Sequence, residues 1–396
     1  MEANATFAPT TRHPNPTPPM ISPNGSQPHT IPGSRVKVVF GPGTVKRIGE
    51  IVKAEGGSRV LLVTDRGIRA AGHVERAVAA LYRAGVPVRV FDDVGQNPTT
   101  IHVGKGVIVG LPFKPDLIVG LGGGSAMDAA KGINFILTNG GRMQDYWGTD
   151  KAAKPLLPFI AAPTTAGTGS DAQSYALITD PDTHQKMACG DTKALPRVAL
   201  LDPELSATQP RTVAAATGID AIAHAVETAG TNKRNDVSRR LSVEAWNLLE
   251  PSFGPALSDP SDAAARERML LGAHLAGAAI ENSMLGAAHA LANPLTGLCG
   301  VVHGLAVGMM LPHVVRFNSR DGETPYADLG PDPEKLARRI ESLLDVGHLP
   351  RKLEQVKVPE SKLPELAAMA AKQWTANFNP RKVGEAELLE IYRMAL

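Results

Sequence analysis

The chain predicts an α/β, Rossmann-like N-terminal half followed by an all-helical C-terminal half, and three observations carry that expectation. Short β-branched runs alternate with helical stretches from Arg35 to about Leu205. After Asp202-Pro203 the helical spacing continues and convincing strands disappear. Two of the apolar runs end in glycine- or threonine-rich loops, and strand ends are where open α/β sheets take their ligands.

Taken in order, the first 32 residues hold eight prolines and almost no charge. Proline at that density blocks helices and sheet ladders, so residues 1–34 are expected to form a disordered tail. Strands are expected at Val36–Phe40, Arg59–Val63, Val88–Phe91, Leu117–Gly120, Phe159–Ala162 and Val198–Leu201. Glu75–Ala84, Ile101–Leu111 and Ala126–Ile136 read as the intervening helices, which makes the sheet largely parallel. Helical spacing then marks Thr212–Glu227, Ser238–Leu249, Ala263–Ala279, Glu334–Leu344 and Glu385–Leu396. The organisation is therefore a tail at 1–34, an α/β dinucleotide-binding domain at 35–205 and a helical metal-binding domain at 206–396.

Composition excludes several classes of function. A chain of 396 residues with 43% hydrophobic and 20% charged residues is an ordinary soluble globular protein. Its net charge of +2 is dispersed, whereas a nucleic-acid groove needs a concentrated basic face. No apolar run reaches the length of about 18 residues that spans a membrane. Two cysteines, Cys189 and Cys299, give no disulfide framework, so a cytoplasmic location is expected.

The stretch Gly120-Leu121-Gly122-Gly123-Gly124-Ser125-Ala126-Met127-Asp128 follows a buried strand and opens a helix. Glycines let backbone approach a ligand, and a helix N-terminus offers free N–H groups that suit a pyrophosphate. The same residues also read as a tight turn with Ser125 as helix cap. Pro163-Thr164-Thr165-Ala166-Gly167-Thr168-Gly169-Ser170 is a second such loop, rich in hydroxyl donors. Asp65, closing the Arg59–Val63 strand, reads either as an acceptor for ribose hydroxyls or as a turn and cap residue.

Asp220 and His224 stand four apart on one helix face among alanines and isoleucines, surroundings in which polar side chains need a partner. His289 lies in another apolar helix, and His303 follows fourteen residues later. One such histidine reads as a hydrogen-bonded core residue; three with an aspartate fit a divalent metal site better.

These motifs are joined by Phe40-Gly41-Pro42-Gly43, Asn97-Pro98-Thr99, Asp128 with Lys131, Asp202-Pro203-Glu204-Leu205, Leu311-Pro312-His313 and Asn379-Pro380-Arg381. In this order and spacing the chain resembles the iron-containing (group III) alcohol dehydrogenase family over about residues 35–396. The resemblance implies the dehydroquinate synthase-like fold, with the metal in the cleft between the two domains. It places Asp220, His224, His289 and His303 at the metal-ligand positions, and Asp65 at that of the ribose-reading acid. Asn97, Gly123, Gly124, Ser125, Asp128, Thr164, Thr165 and Lys186 match positions that line the cofactor. It further implies NAD rather than NADP, Fe²⁺ with Zn²⁺ as the alternative, a small alcohol or aldehyde substrate, and a homodimer or larger homo-oligomer.

One departure stands out. Most relatives carry a histidine four residues after the third ligand, and this chain has Asn293. It is expected beside the substrate, just before Pro294, which disfavours further helix. An amide can position substrate or water there but cannot titrate. The resemblance implies hydride transfer between a nicotinamide cofactor and an alcohol or aldehyde. Two related chemistries share the layout: a hydroxyacid–oxoacid transhydrogenase, and a dehydroquinate synthase-type lyase. The lyase needs a basic cluster for a phosphate substrate, and the ligand-bearing segments here are rich in alanine and leucine.

Overall fold

Each apolar run expected as a strand forms one. The structure, a computed structural model, describes residues 28–183 and 185–396. Strands β1 (His29–Thr30), β2 (Lys37–Phe40), β3 (Val60–Val63), β4 (Val88–Phe91) and β5 (Leu117–Gly122) are followed by β6 (Gly148–Thr149) and β7 (Phe159–Pro163). Then come β8 (Tyr175–Thr179), β9 (Lys186–Gly190) and β10 (Val198–Leu201). A seven-stranded sheet runs β1-β2-β10-β7-β5-β3-β4, parallel except for β1. Buried on both faces, β3, β5, β7 and β10 are continuous apolar runs, as a parallel sheet covered by helices requires.

The helices of this half are α1 (Ile48–Ala54), α2 (Arg66–Ala70), α3 (His73–Arg83), α4 (Thr100–Phe113), α5 (Gly124–Asn139) and the short α6 (Pro203–Ser206). The helical half comprises α7 (Arg211–Gly230), α8 (Asp236–Ser258), α9 (Ala263–Ser283), α10 (Ala287–Cys299) and α11 (His303–Asn318). It ends with α12 (Pro333–Gly347), α13 (Leu363–Ala370) and α14 (Glu385–Met394). No helix among the described residues is long and apolar enough to cross a membrane. The two halves share apolar packing: Val38, Phe40, Ala199 and Leu201 of the sheet lie in one cluster with Ile219, Ile222 and Leu275 of α7 and α9.

Two sequence motifs meet to brace the sheet. Fully buried Asp202 accepts hydrogen bonds from the backbone N–H groups of Gly43 (3.0 Å), Val45 (2.9 Å) and Glu204 (3.0 Å). The Gly41-Pro42-Gly43 turn is thereby tied to the start of α6. A carboxylate satisfied by three backbone donors is stable in a buried position where a lone charge is not.

The structure corrects the reading of the amino-terminal tail. Its residues 1–27 lie outside those described, but His29–Thr30 pair antiparallel with Val38 and Lys37, and Ile31 is fully buried. An edge strand tolerates the neighbouring prolines, and burial of Ile31 favours order there. Arg240 and Asn282 of the helical half also donate to the carbonyls of Pro32 and Gly33. A chain starting at residue 33 is therefore expected to lose roughly 2–5 kcal/mol, the cost of emptying a large buried aliphatic site. Urea denaturation checks this, and an unchanged midpoint would show that β1 adds nothing.

The structure also adds a second sheet, β6-β9-β8, with β8 antiparallel to β9 and β6 parallel to it. Strand β8 and the first four residues of β9 alternate half-buried and buried. Helix α10 moreover runs on through Pro294, where the sequence predicts an end.

Candidate active site

One cleft of about 850 Å³ lies at the carboxyl ends of the sheet strands and extends to the helical half. Adjacent strands β5 and β7 deliver their end loops to it side by side. Asp65, Asn97, Gly123, Gly124, Ser125, Asp128, Thr164, Thr165 and Lys186 all line it, as do Asp220, His224, His289 and His303.

The first loop opens helix α5 without a side-chain cap. Gly123 holds its N-cap position and no side chain caps it, so Ser125 lies inside the first turn and is not the cap. The uncapped helix end keeps its positive dipole end and N–H groups for a ligand. A Cβ on Gly124 would lie 2.6–2.9 Å from the Thr168 side chain, so glycine alone lets the two loops nest. The hydroxyls of Thr164 and Thr165 are buried with no partner among the described residues, as expected where a polar ligand completes the site. Asp65 is a cap residue that also stands at the cleft. Its Oδ1 accepts from the Ile68 N–H (3.0 Å) as the N-cap of α2, and the residue also lines the cleft. Asn97 adopts a left-handed conformation (φ 50), which asparagine tolerates better than most residues.

Beneath the loops, fully buried Lys131 reaches Ser170 O (2.7 Å), Ser170 Oγ (2.9 Å), Gln173 O (2.8 Å) and Tyr175 O (2.9 Å). Ser170 Oγ donates to Asp128 Oδ1 (2.8 Å), linking α5 to the second loop. Burial pushes the Lys131 ammonium down to about 8 against the pull of Asp128. Burial also lowers Lys186, which faces Asp128 and Asp220.

At the other end, α7 presents Asp220 and His224, α10 presents His289, and α11 presents His303 from its first position. Donor atoms of Asp220, His224 and His289 all lie within 4.8 Å of one another. From Asp220 Oδ1 the Nε2 atoms of His289, His224 and His303 are 3.5, 3.6 and 4.0 Å away. Tetrahedral donors with bonds of about 2.1 Å stand roughly 3.4 Å apart, so this spacing suits an ion at their centre. Asp220 Oδ1 and His289 Nε2 are buried and have no hydrogen-bond partner among the described residues, which the donor set explains if both face a cation. His303 is the outer member, with a side chain 24% exposed against 5–6% for the other three. Gly304 brings it in: a Cβ there would lie 1.9 Å from Ala216 O, so a side chain would push α11 off α7.

The electrostatics of the ligand set are those of closely coupled buried groups. Burial opposes charge on Asp220, yet the neighbouring imidazoles hold its carboxyl below the usual range. Burial lowers His224 to about 4 and His303 to about 3. Against the same penalty, the carboxylates of Glu227 and Asp220 hold His289 up at about 9.

Sequence reasoning did not find Glu227, which stands on α7 three residues after His224. It is buried and its Oε2 bonds His289 Nδ1, leaving Nε2 to face Asp220. Its Oε1 accepts from the backbone N–H groups of Gly286 (3.2 Å) and Ala288 (2.8 Å). Asn379 Oδ1 accepts from Ala287 N–H (3.2 Å), so side chains of distant segments cap α10. The Asn379-Pro380-Arg381 motif thus steadies the helix that carries His289.

Asn293 is the exception among the expected residues. It is partly buried, lies outside the cleft lining, and donates its amide to Gln373 Oε1 (3.0 Å). One helical turn beyond His289, about 6 Å along α10, Asn293 lies within reach of the segment at 373.

Residues 35–203 match the iron-containing alcohol dehydrogenase family, and residues 214–396 match the Fe-containing alcohol dehydrogenase family C-terminal region. The 1,3-propanediol dehydrogenase of Citrobacter freundii is 37% identical over 372 residues, covering 90% of this chain and 96% of that protein. A crystal structure of 1,3-propanediol oxidoreductase superposes with a TM-score of 0.87 at 35% identity, covering 91% of this chain and 97% of that one. Sulfoacetaldehyde reductase from Bifidobacterium kashiwanohense, solved in complex with NAD+, gives 0.83 at 27% identity over 91% and 97% of the two chains. Likeness of this extent, on a fold whose strand-end loops and buried Asp–His cluster share one cleft, places the chain in the iron-containing alcohol dehydrogenase family.

Proposed function

We infer that this chain is an NAD-linked alcohol dehydrogenase that interconverts a short alcohol and its aldehyde at a divalent ion, iron in preference to zinc. The carrying observation is that a single cleft joins the uncapped α5 N-terminus to the Asp220, His224, His289 and His303 cluster. When bound, the ion supplies Lewis acidity at the substrate oxygen and the dinucleotide supplies the hydride chemistry. The protein's own part is positioning. The α5 N-terminus and Gly123–Ser125 receive the pyrophosphate, and Asp65 takes the ribose hydroxyls. The Thr164 and Thr165 hydroxyls, without a partner among the described residues, hold the cofactor against the β7 loop. Lys186, partly buried and under the pull of both Asp128 and Asp220, lies on the route from cofactor to ligand cluster. The likeness to a 1,3-propanediol dehydrogenase points to a small diol or primary alcohol as the substrate class.

The test is a panel of short alcohols with NAD and with NADP, followed by absorbance of the reduced cofactor. NAD is expected to give the higher kcat/KM, because Asp65 repels a 2′-phosphate at close range. Asp65→Gly is expected to narrow that preference. No turnover with either cofactor in the metal-loaded protein refutes the dehydrogenase reading. A wild-type preference for NADP refutes the role of Asp65.

A further inference from the structure

Tyr175 of β8 lines the cleft, and its ring stacks on Trp374 of the helical half, with centroids 5.3 Å apart and planes at 28°. Trp374 in turn meets Phe378 edge-on at 5.6 Å. Both belong to a short 3-10 turn, Trp374–Phe378, which is fastened at each end to the helical half. At its front, Gln373 accepts the Asn293 amide. At its back, Asn232 donates through its backbone N–H to Phe378 O (2.9 Å) and through its side chain to Asn377 O (2.8 Å).

The placement of this turn follows from α10. Asn293 lies one helical turn beyond His289, so the front anchor sits beside the metal-bearing helix. From there the turn crosses to β8 of the other half. On its other sides Tyr175 is held. It pairs with Gly190 on β9, and a Cβ at Gly190 would lie 2.3 Å from its ring; its carbonyl is held by Lys131. Trp374, 36% exposed and not itself part of the cleft lining, bears on the cleft through the Tyr175 ring.

We propose that Tyr175, backed by Trp374, forms an aromatic seal on its side of the cleft and sets the largest substrate it admits, with Asn293 as the residue that positions the turn bearing Trp374. This rests on the alcohol–aldehyde reading of the cleft. A substrate wider than the sealed space enters only if the Tyr175 ring shifts against Trp374, while a short one passes with the stack intact. The amide at 293 then serves to hold Gln373, and its inability to titrate is no handicap in that role.

The experiment compares wild type with Trp374→Ala, Trp374→Phe and Asn293→Ala, each loaded with Fe²⁺. The first readout is the ratio of kcat/KM for benzaldehyde to that for propanal. The second, independent of turnover, is the rate at which 1,10-phenanthroline extracts the iron. Trp374→Ala is expected to raise the ratio about tenfold, within the range by which pocket shape discriminates substrates. It should also speed extraction severalfold, while Trp374→Phe stays close to wild type. Asn293→Ala moves both readouts in the same direction by less and decides the matter should Trp374→Ala fail to fold. With an active wild type, an unchanged ratio overturns the proposal, including the case in which both substrates decline together. If wild type reduces neither aldehyde, the dehydrogenase reading fails separately, and an unchanged extraction rate overturns the seal.

Discussion

Replacing His289 with alanine is expected to strip most of the metal from the protein while leaving it folded. The imidazole supplies Nε2, a buried nitrogen that faces Asp220 and has no hydrogen-bond partner among the described residues. Loss of a mere supporting group near a metal lowers affinity about 10–100-fold, and loss of a direct ligand is expected to exceed that. Activity should fall by roughly a thousandfold or more, because Lewis-acid stabilisation amounts to several kcal/mol. The fold is expected to survive, since α10 keeps its cap: Glu227 Oε1 still receives Gly286 and Ala288, and Asn379 still receives Ala287. Metal content after dialysis, measured beside circular dichroism, checks both halves of the expectation. Full metal content in a folded variant would remove His289 from the ligand set.

The sheet and its two loops were legible because local chemistry determines them. Val60–Val63 and Leu117–Gly122 are unbroken apolar runs buried on both faces, and no helix period competes with them. The small β6-β9-β8 sheet was not legible: Lys186–Gly190 reads as a polar start followed by alanine, cysteine and glycine, with little β propensity. Its order comes from pairing with Tyr175–Thr179, a tertiary event. The same division holds within the site. Asp220 and His224 announce themselves as polar residues in an apolar helix, four apart. Glu227 sits on the same helix, but its partner His289 lies 62 residues further on, so nothing local reveals its role. Asn293 was expected beside the substrate from the resemblance alone, and nothing local shows that its amide turns to Gln373, 80 residues further on. Ile31 was hidden in a proline-rich surrounding that composition alone reads as unstructured.

Glu227→Gln is expected to abolish tight metal binding without unfolding the protein, through the direction of one hydrogen bond. In the wild type the two carboxylate oxygens have separate tasks. Oε1 accepts the Gly286 and Ala288 N–H groups at the start of α10, and Oε2 accepts the Nδ1 proton of His289. That bond fixes the tautomer with its proton on Nδ1, so that the Nε2 lone pair faces Asp220 and the cleft. A glutamine must keep its oxygen toward the two backbone donors, because turning its NH₂ there would set donor against donor. Its amide nitrogen then faces His289 Nδ1 and donates to it. The imidazole is driven to the opposite tautomer, with its proton on Nε2, the atom that a cation requires bare. A drop in metal affinity of about 10–100-fold or more is therefore expected, with the cap of α10 and the melting temperature largely retained. Glu227→Ala, which removes cap and orienter together, should lower both, the cap alone being worth roughly 0.5–2 kcal/mol. Competition with a chromophoric chelator measures the affinity and calorimetry the stability. Wild-type affinity in the glutamine variant would show that Glu227 braces the helix without setting the proton on His289.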